Sequence, residues 1–274
     1  MKLCRFEPME AAGKVFGRTQ AETYASSHAG MVENSVIREI SGELWGERKP
    51  TGREFRVNEV RFLPPSWPTK IICMARNYLD HAAEMNIEAP QQPVIFSKPP
   101  SAIIAPLEEI VMPRISKRVD YEGELAFIIG RRCSHPKPSE DIAPYILGYT
   151  CLNDVTARDL QRLDGQYTRG KGFDTFCPFG PMVDTERPSE DTKIETFVNG
   201  AKKQSAHVSD MVFGIDAIFR WIAEAMTLEP GDVIATGTPA GVGPLTAGDV
   251  VEVGVGDIGM LRNTVVGPRD WRAT

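Results

Sequence analysis

The sequence predicts an α+β protein dominated by β structure. Three observations carry this expectation. Short apolar or alternating runs bounded by Gly, Pro, Asn and Asp outnumber helical patterns. The clearest amphipathic helix is one stretch, Asp216–Met226, with Ile218, Phe219, Ile222 and Met226, and Ile215 just before it, at helical spacing. The order of strands and helices is too irregular for a repeated βαβ fold.

In the first sixty or so residues, Lys2–Pro8, Lys14–Gln20, Val36–Leu44 and Arg53–Pro65 read as short polar strands with turns between them. Arg61–Lys70 ("RFLPPSWPTK") holds three prolines and reads as a stiff linker. A small N-terminal β-rich domain over 1–65 and a main domain over 66–274 follow from that boundary. Lys70–Ala75 is a short buried strand. Asn77–Asn86 has helical character, with Asn77 as its N-cap. Pro93–Pro106 is extended and broken by prolines, and Gly123–Gly130 and Tyr145–Asp154 are strands. Asp154–Leu163 favours a short helix. Strands entered through Pro-Gly-Asp and Gly-Asp turns complete the chain over Leu228–Gly243 and Leu245–Leu261.

Composition narrows the function classes. A chain of 274 residues with 42% hydrophobic and 25% charged residues is an ordinary globular protein that needs no staples. Its net charge of -6, with both signs mixed, argues against a nucleic-acid surface. No run approaches the ~20 apolar residues of a membrane helix, so neither membrane nor nucleic acid is an expected partner. Cys4, Cys73, Cys133, Cys151 and Cys177 are widely spaced and never form C-x-x-C. A disulfide framework or zinc knuckle is therefore not expected. "MKLCRFEPMEAAG" lacks the apolar stretch of a signal peptide, so the expected compartment is the cytoplasm.

"RVDYEGELAFIIG" (Arg118–Gly130) poses the chemical question, because it opens an apolar strand with two carboxylates, Glu122 and Glu124. Residues two apart share a strand face, about 7 Å apart along the strand. Two adjacent anions repel each other unless a cation intervenes. Asp154, at the end of the next strand, offers a third carboxylate. Three such oxygen donors suit Mg²⁺ or Mn²⁺ better than zinc. The alternative is a solvated strand end with ordinary surface glutamates and an Asp154 that caps a helix.

Asp120–Gly130, Gly148–Gln161, Gly170–Pro181 and Leu228–Gly243, preceded by "ICMARNYLDHAAEM" (Ile72–Met85), together resemble the fumarylacetoacetate hydrolase family in its order, from Lys70 to the C-terminus. The resemblance implies coiled β-sheets around a barrel-like core, a homodimer, and Mg²⁺ or Mn²⁺ on Glu122, Glu124 and Asp154. It also implies a 2-oxo or diketo acid substrate whose two oxygens chelate the metal, giving an enolate. Hydrolytic C–C cleavage of acylpyruvate-like 2,4-diketo acids is the leading expectation. Decarboxylation or keto–enol tautomerisation of oxaloacetate-like acids, and dienoate isomerisation in aromatic breakdown, are the alternatives.

His81 and Glu84 are three apart, so a helix brings them within pairing reach, either as a surface pair or as a water-activating dyad. The resemblance implies the dyad. By the same resemblance Lys171 polarises substrate oxygens near the metal, with Gly170 standing where Ala is common. Gln161 contacts substrate, and Thr238 binds its carboxylate through the hydroxyl and nearby amides. Arg76 and Tyr78 face the pocket. On a helix Asp154, Arg158 and Gln161 share one face, so Arg158 either joins Gln161 at the substrate or braces Asp154. His28, His135 and His207 are given no role.

Overall fold

The computed structural model describes residues 1–12, 20–84 and 90–269. Its N-terminal part contains strands β1 (Lys2–Pro8), β2 (His28–Glu33), β3 (Val36–Ser41), β4 (Lys49–Arg56) and β5 (Val60–Leu63). Two short helices, α1 (Met9–Ala12) and α2 (Gln20–Ala25), lie between β1 and β2. The strand expected at Lys14–Gln20 falls outside the described residues except for Gln20, which opens α2.

The chain continues through β6 (Ile71–Ala75), α3 (Leu79–Glu84), β7 (Val94–Lys98), β8 (Ile103–Ile104), β9 (Glu109–Val111), β10 (Val119–Tyr121) and β11 (Gly123–Ile129). Next come β12 (Ile146–Asn153), β13 (Thr156–Ala157), α4 (Arg158–Asp164), α5 (Tyr167–Lys171), β14 (Cys177–Asp184), β15 (Lys193–Val198) and β16 (Ala201–His207). Helix α6 (Ile215–Ala225) precedes β17 (Val233–Ala235), β18 (Gly243–Pro244), β19 (Val250–Val255) and β20 (Gly259–Val266).

The fold is mostly β, as expected. The large sheet runs β4-β3-β2-β1-β14-β12-β11-β17-β6-β7, with β5 on β1 and β8 on β14. Its two ends do not pair, and no closed barrel forms among the described residues. A second sheet runs β16-β15-β19-β20-β9, and a third β13-β10-β18. The N-terminal strands join the main sheet directly, because Lys2, Leu3 and Cys4 of β1 pair with Asp184, Val183 and Met182 of β14.

Strand β11 is buried on both faces, which explains its unbroken apolar run. Leu125, Phe127 and Ile129 enter one core, where Ile218, Phe219 and Ile222 of α6 cover them. Ala126 and Ile128 enter the other, beside Leu3, Leu152 and Phe179. Each large side chain buried in this way contributes about 1.5–3 kcal/mol. Helix α6 buries the stripe read from its spacing, with Met226 half-buried at its end.

Two local expectations are corrected. Arg61–Leu63 belongs to β5 rather than to a linker, because its extended residues pair with Arg5, Phe6 and Glu7 of β1. The prolines that follow are fastened down: Ser66 Oγ donates to Gly231 O at 2.8 Å, and Thr69 N to Asp232 Oδ1 at 3.0 Å. Asn77 does not cap α3, which starts at Leu79. Its amide is spent on Phe213 O and Thr236 O, and its Oδ1 accepts from Phe213 N. The last residues of the expected helix, Met85 and Asn86, lie outside the described residues.

Candidate metal centre and active site

The site is built at the open end of the β11–β12 hairpin. Gly123 pairs with Asn153 and Glu124 with Leu152. Just beyond, Asp154 N donates to Glu122 O at 2.8 Å, and Glu122 N to Asn153 Oδ1 at 3.0 Å. These bonds bring one carboxylate oxygen each of Glu122, Glu124 and Asp154 within 4.8 Å of one another. All three residues are buried, at 4%, 1% and 0% exposure, which removes the surface reading of the glutamates.

The residue between the glutamates has to be glycine. A Cβ on Gly123 would lie 2.0 Å from Thr196 Oγ1 and 3.2 Å from Val253 Cγ1, where β11 crosses β15 and β19. Thr196 is fully buried and β-branched, so it has little freedom to yield. Gly123→Ala is therefore expected to destabilise the fold by about 1–3 kcal/mol, as overpacking does. Chemical denaturation checks this, and an unchanged midpoint would refute the close packing.

Cations surround the triad unevenly. Lys98 Nζ donates to Asp154 Oδ1 at 2.5 Å and Lys171 Nζ to Asp154 Oδ2. Lys171 also donates to Glu122 Oε2 at 2.7 Å, and Arg158 Nη2 donates to Glu122 Oε1. Burial alone would raise the Glu122 carboxyl, but Lys171 and Arg158 override it and hold it far below the usual range. Burial would likewise lower the Lys171 ammonium, but Asp154 and Glu122 raise it, so it stays charged.

Glu124 is treated differently. Its named partner is a backbone amide, Gly237 N at 2.8 Å, and no ion pair engages it among the described residues. Burial, and then the Asp154 charge, push its carboxyl well above the usual range. Keeping this buried carboxyl in its charged form calls for a cation beside it. The donor set is all carboxylate oxygen, which suits a hard divalent ion. The residues present therefore fit the implied metal.

A cavity of about 70 Å³ opens beside Glu122, the member of the triad that lines it, together with Arg76, His81, Phe96, Arg158, Gln161, Tyr167, Lys171 and Thr238 among others. His81 Nδ1 stands 3.3 Å from Glu84 Oε2 on α3. Glu84 in turn accepts from Gly241 N at 3.2 Å, which anchors the end of the helix. Arg76 adopts φ +58°, and its Nε is buried with no hydrogen-bond partner among the described residues. Phe96 and Tyr167 stack at 4.6 Å, and Lys171 Nζ sits 4.9 Å from the Phe96 ring. A Cβ on Gly170 would lie 2.7 Å from Gln161 Cβ, so the glycine lets α5 approach α4 and brings Lys171 and Gln161 to the same cavity.

Three expectations change. Tyr78 is 2% exposed and packs in the core with Leu125, Phe127 and Met211, away from the carboxylate cavity. Strand β6 ends at Ala75 and the backbone turns left-handed at Arg76, so the arginine reaches the cavity while Tyr78 goes to the core. Thr238 lines the cavity, but its hydroxyl already donates to Gly123 O at 2.9 Å and accepts from Gln204 Nε2 at 2.8 Å. The nearby Gly237 amide is spent on Glu124. Arg158 braces Glu122 and Asp120 rather than Asp154.

Sequence reasoning missed Lys98 and Asp120. Asp120 had a signal, since Asp120, Glu122 and Glu124 share one alternation. Lys98 had only its place at the end of an apolar run before Pro99 and Pro100.

Fold and site together define a mostly β protein with a buried carboxylate centre shaped for a hard divalent cation. The chain belongs to the fumarylacetoacetate hydrolase family: the family model Fumarylacetoacetate (FAA) hydrolase C-terminal matches residues 70–266, and the model Rv2993c-like, N-terminal matches residues 1–65. It is 42% identical over 222 residues to the human oxaloacetate tautomerase FAHD2B, mitochondrial, covering 76% of this chain and 70% of that protein. A 5-carboxymethyl-2-hydroxymuconate delta-isomerase from Mycobacterium smegmatis superposes with a TM-score of 0.86 at 40% identity, covering 97% of this chain and all of that one. A maleylpyruvate hydrolase from Sphingobium sp. SYK-6, solved with manganese(II) and pyruvate, gives 0.76 at 27% identity, covering 98% of this chain and all of that one. The relatives thus include a tautomerase, an isomerase and a hydrolase. No described helix is long and apolar enough to cross a membrane.

Proposed function

We propose that the protein is a divalent-metal-dependent enzyme that moves a proton between the keto and enol forms of a small, oxaloacetate-like 2-oxo dicarboxylic acid. The observation that carries this reading is the cavity. Its volume of about 70 Å³ is well under the ~300–1,000 Å³ of drug-sized sites. Within it, Arg76 presents a buried Nε with no partner among the described residues.

Glu122, Glu124 and Asp154 would hold Mg²⁺ or Mn²⁺, which when bound supplies Lewis-acid polarisation of the substrate oxygens. Lys171 keeps its charge beside them and adds a donor for a developing oxyanion. The Arg76 guanidinium, which forms no ion pair among the described residues, is the cation for a distal carboxylate. The Nδ1 of His81 faces Glu84, so its Nε2 is the nitrogen left to take and return a proton. Glu84 orients that ring through its contact with Nδ1.

The His81–Glu84 pair also favours a second reading. A dyad of this kind can activate water, and C–C hydrolysis of an acylpyruvate-like diketo acid needs that step. One set of assays separates the two. Oxaloacetate supplied as the enol is followed for ketonisation and for pyruvate release. Acetylpyruvate and fumarylpyruvate are followed for cleavage. Each assay is run with Mg²⁺ or Mn²⁺ and again with EDTA. The expected result is metal-dependent ketonisation of the oxaloacetate enol that EDTA abolishes. Faster cleavage of the diketo acids would transfer the assignment to the hydrolase reading. If none of these acids turns over in a metal-dependent way, both readings fail.

A further inference from the structure

A fourth carboxylate, Asp120, lies near the triad but is not part of it. It is fully buried and does not line the cavity. It accepts from Arg158 Nε at 2.9 Å, and on its outer side from Arg118 Nε at 2.8 Å and Arg118 Nη2 at 3.2 Å. Arg158 is 2% exposed and divides its donors three ways. Nε goes to Asp120, Nη1 to Gln161 Oε1 at 2.6 Å, and Nη2 to Glu122 Oε1. A guanidinium is a rigid planar fork, so fixing one edge fixes where the other donors point.

We infer that Asp120 is a positioning residue that sets the Arg158 fork, and through it both the Glu122 carboxylate and the Gln161 amide. The inference rests on the reading of the triad as the metal centre. Two consequences follow from the geometry. Glu122 is held with Oε1 toward Arg158 and Oε2 toward Lys171, which fixes its plane beside Asp154. Gln161 has its carbonyl end occupied, so the amide presents its NH₂ as a donor for an anionic substrate oxygen.

Without the Asp120 charge, a buried arginine beside a carboxylate favours a two-toothed pairing. Arg158 would then turn onto Glu122, withdraw that carboxylate from the cation and release the Gln161 amide to flip. Arg118 reaches Asp120 from the exposed side and touches neither Glu122 nor Gln161 through any described bond.

The test is a titration of the substrate-free, full-length protein with Mn²⁺, read by calorimetry and by the spin-resonance signal of free Mn²⁺. Wild type, Asp120→Asn, Arg118→Ala and Arg158→Lys are compared, with the folded fraction measured by circular dichroism. Asp120→Asn is expected to weaken Mn²⁺ binding about 10–100-fold, the range for groups that orient metal ligands. Arg158→Lys, which keeps the charge but loses the fork, is expected to do the same and stands in if Asp120→Asn does not fold. Arg118→Ala is expected to stay within about twofold of wild type. A folded Asp120→Asn or Arg158→Lys protein with wild-type Mn²⁺ affinity overturns the inference, whatever its thermal midpoint. A wild-type protein that binds no Mn²⁺ overturns the metal reading itself.

Discussion

Glu124→Gln is expected to abolish divalent-cation binding and, at the same time, to raise the thermal midpoint of the metal-free protein. Both effects come from one feature. Glu124 is 1% exposed and is held by the Gly237 amide, while the neighbouring cations engage Glu122 and Asp154. In the metal-free protein it is a buried carboxyl whose charged form is opposed by burial and by Asp154. Glutamine keeps the shape and an oxygen for Gly237 N, and it is neutral without taking up a proton. Removing the cost of either protonating this carboxyl or burying its charge at neutral pH should add about 1 kcal/mol or more, seen as a rise of roughly 2–4 °C in EDTA. On the proposed reading, losing one of three anionic ligands would remove the Lewis acid, so turnover should fall by about 100-fold or more. Mn²⁺ titration and thermal melts in EDTA check the two halves separately. Unchanged Mn²⁺ affinity would remove Glu124 from the ligand set, and a lowered metal-free midpoint would show that its charge is compensated in some other way.

The part of this site that was legible in the sequence is the part fixed by local geometry. Glu122 and Glu124 share a face because strand side chains repeat every two residues. Asp154 joins them because β12 is the next strand and pairs antiparallel with β11. His81 and Glu84 meet because a helix brings residues three apart together. In the same way, the apolar stripe of α6 could be read from its period alone.

What was hidden depends on partners far along the chain. The donor capacity of the Thr238 hydroxyl is taken by Gly123 O, 115 residues away, and "TGTP" gives no hint of it. The resemblance placed Tyr78 at the pocket beside Arg76, but the backbone turns left-handed at Arg76 and the tyrosine goes to the core, which no local pattern shows. Strand β1 lies beside β14 across about 180 residues, a pairing that no local pattern encodes. Gly123 illustrates both cases: the spacing set the glutamates side by side, but the reason for glycine between them is Thr196 on another sheet.

Lys98→Met should have the largest effect on stability. Lys98 is 1% exposed at the end of β7, and it donates to Asp154 Oδ1 at 2.5 Å and to Val155 O at 3.2 Å. Methionine fills similar space without a charge, so packing is largely kept and the loss is electrostatic. Asp154 would then retain Lys171 as its ammonium partner, and Lys171 is shared with Glu122. Breaking one side of a buried ion pair typically costs about 3–5 kcal/mol. The remaining lysine places this case near the lower end, at about 3 kcal/mol, or roughly 6–12 °C in thermal midpoint. The loss should be greatest in EDTA. A divalent cation supplies positive charge next to Asp154, so Mn²⁺ should recover more of the midpoint in Lys98→Met than it adds to wild type. Mn²⁺ binding should survive, because on the proposed reading Lys98 would compete with the cation for Asp154 rather than ligate it. The two variants therefore separate two roles around one centre: Glu124→Gln gains stability without metal and cannot bind it, whereas Lys98→Met loses stability without metal and depends on it. A Lys98→Met protein as stable in EDTA as wild type would mean that the ion pair with Asp154 does not hold the metal-free site together.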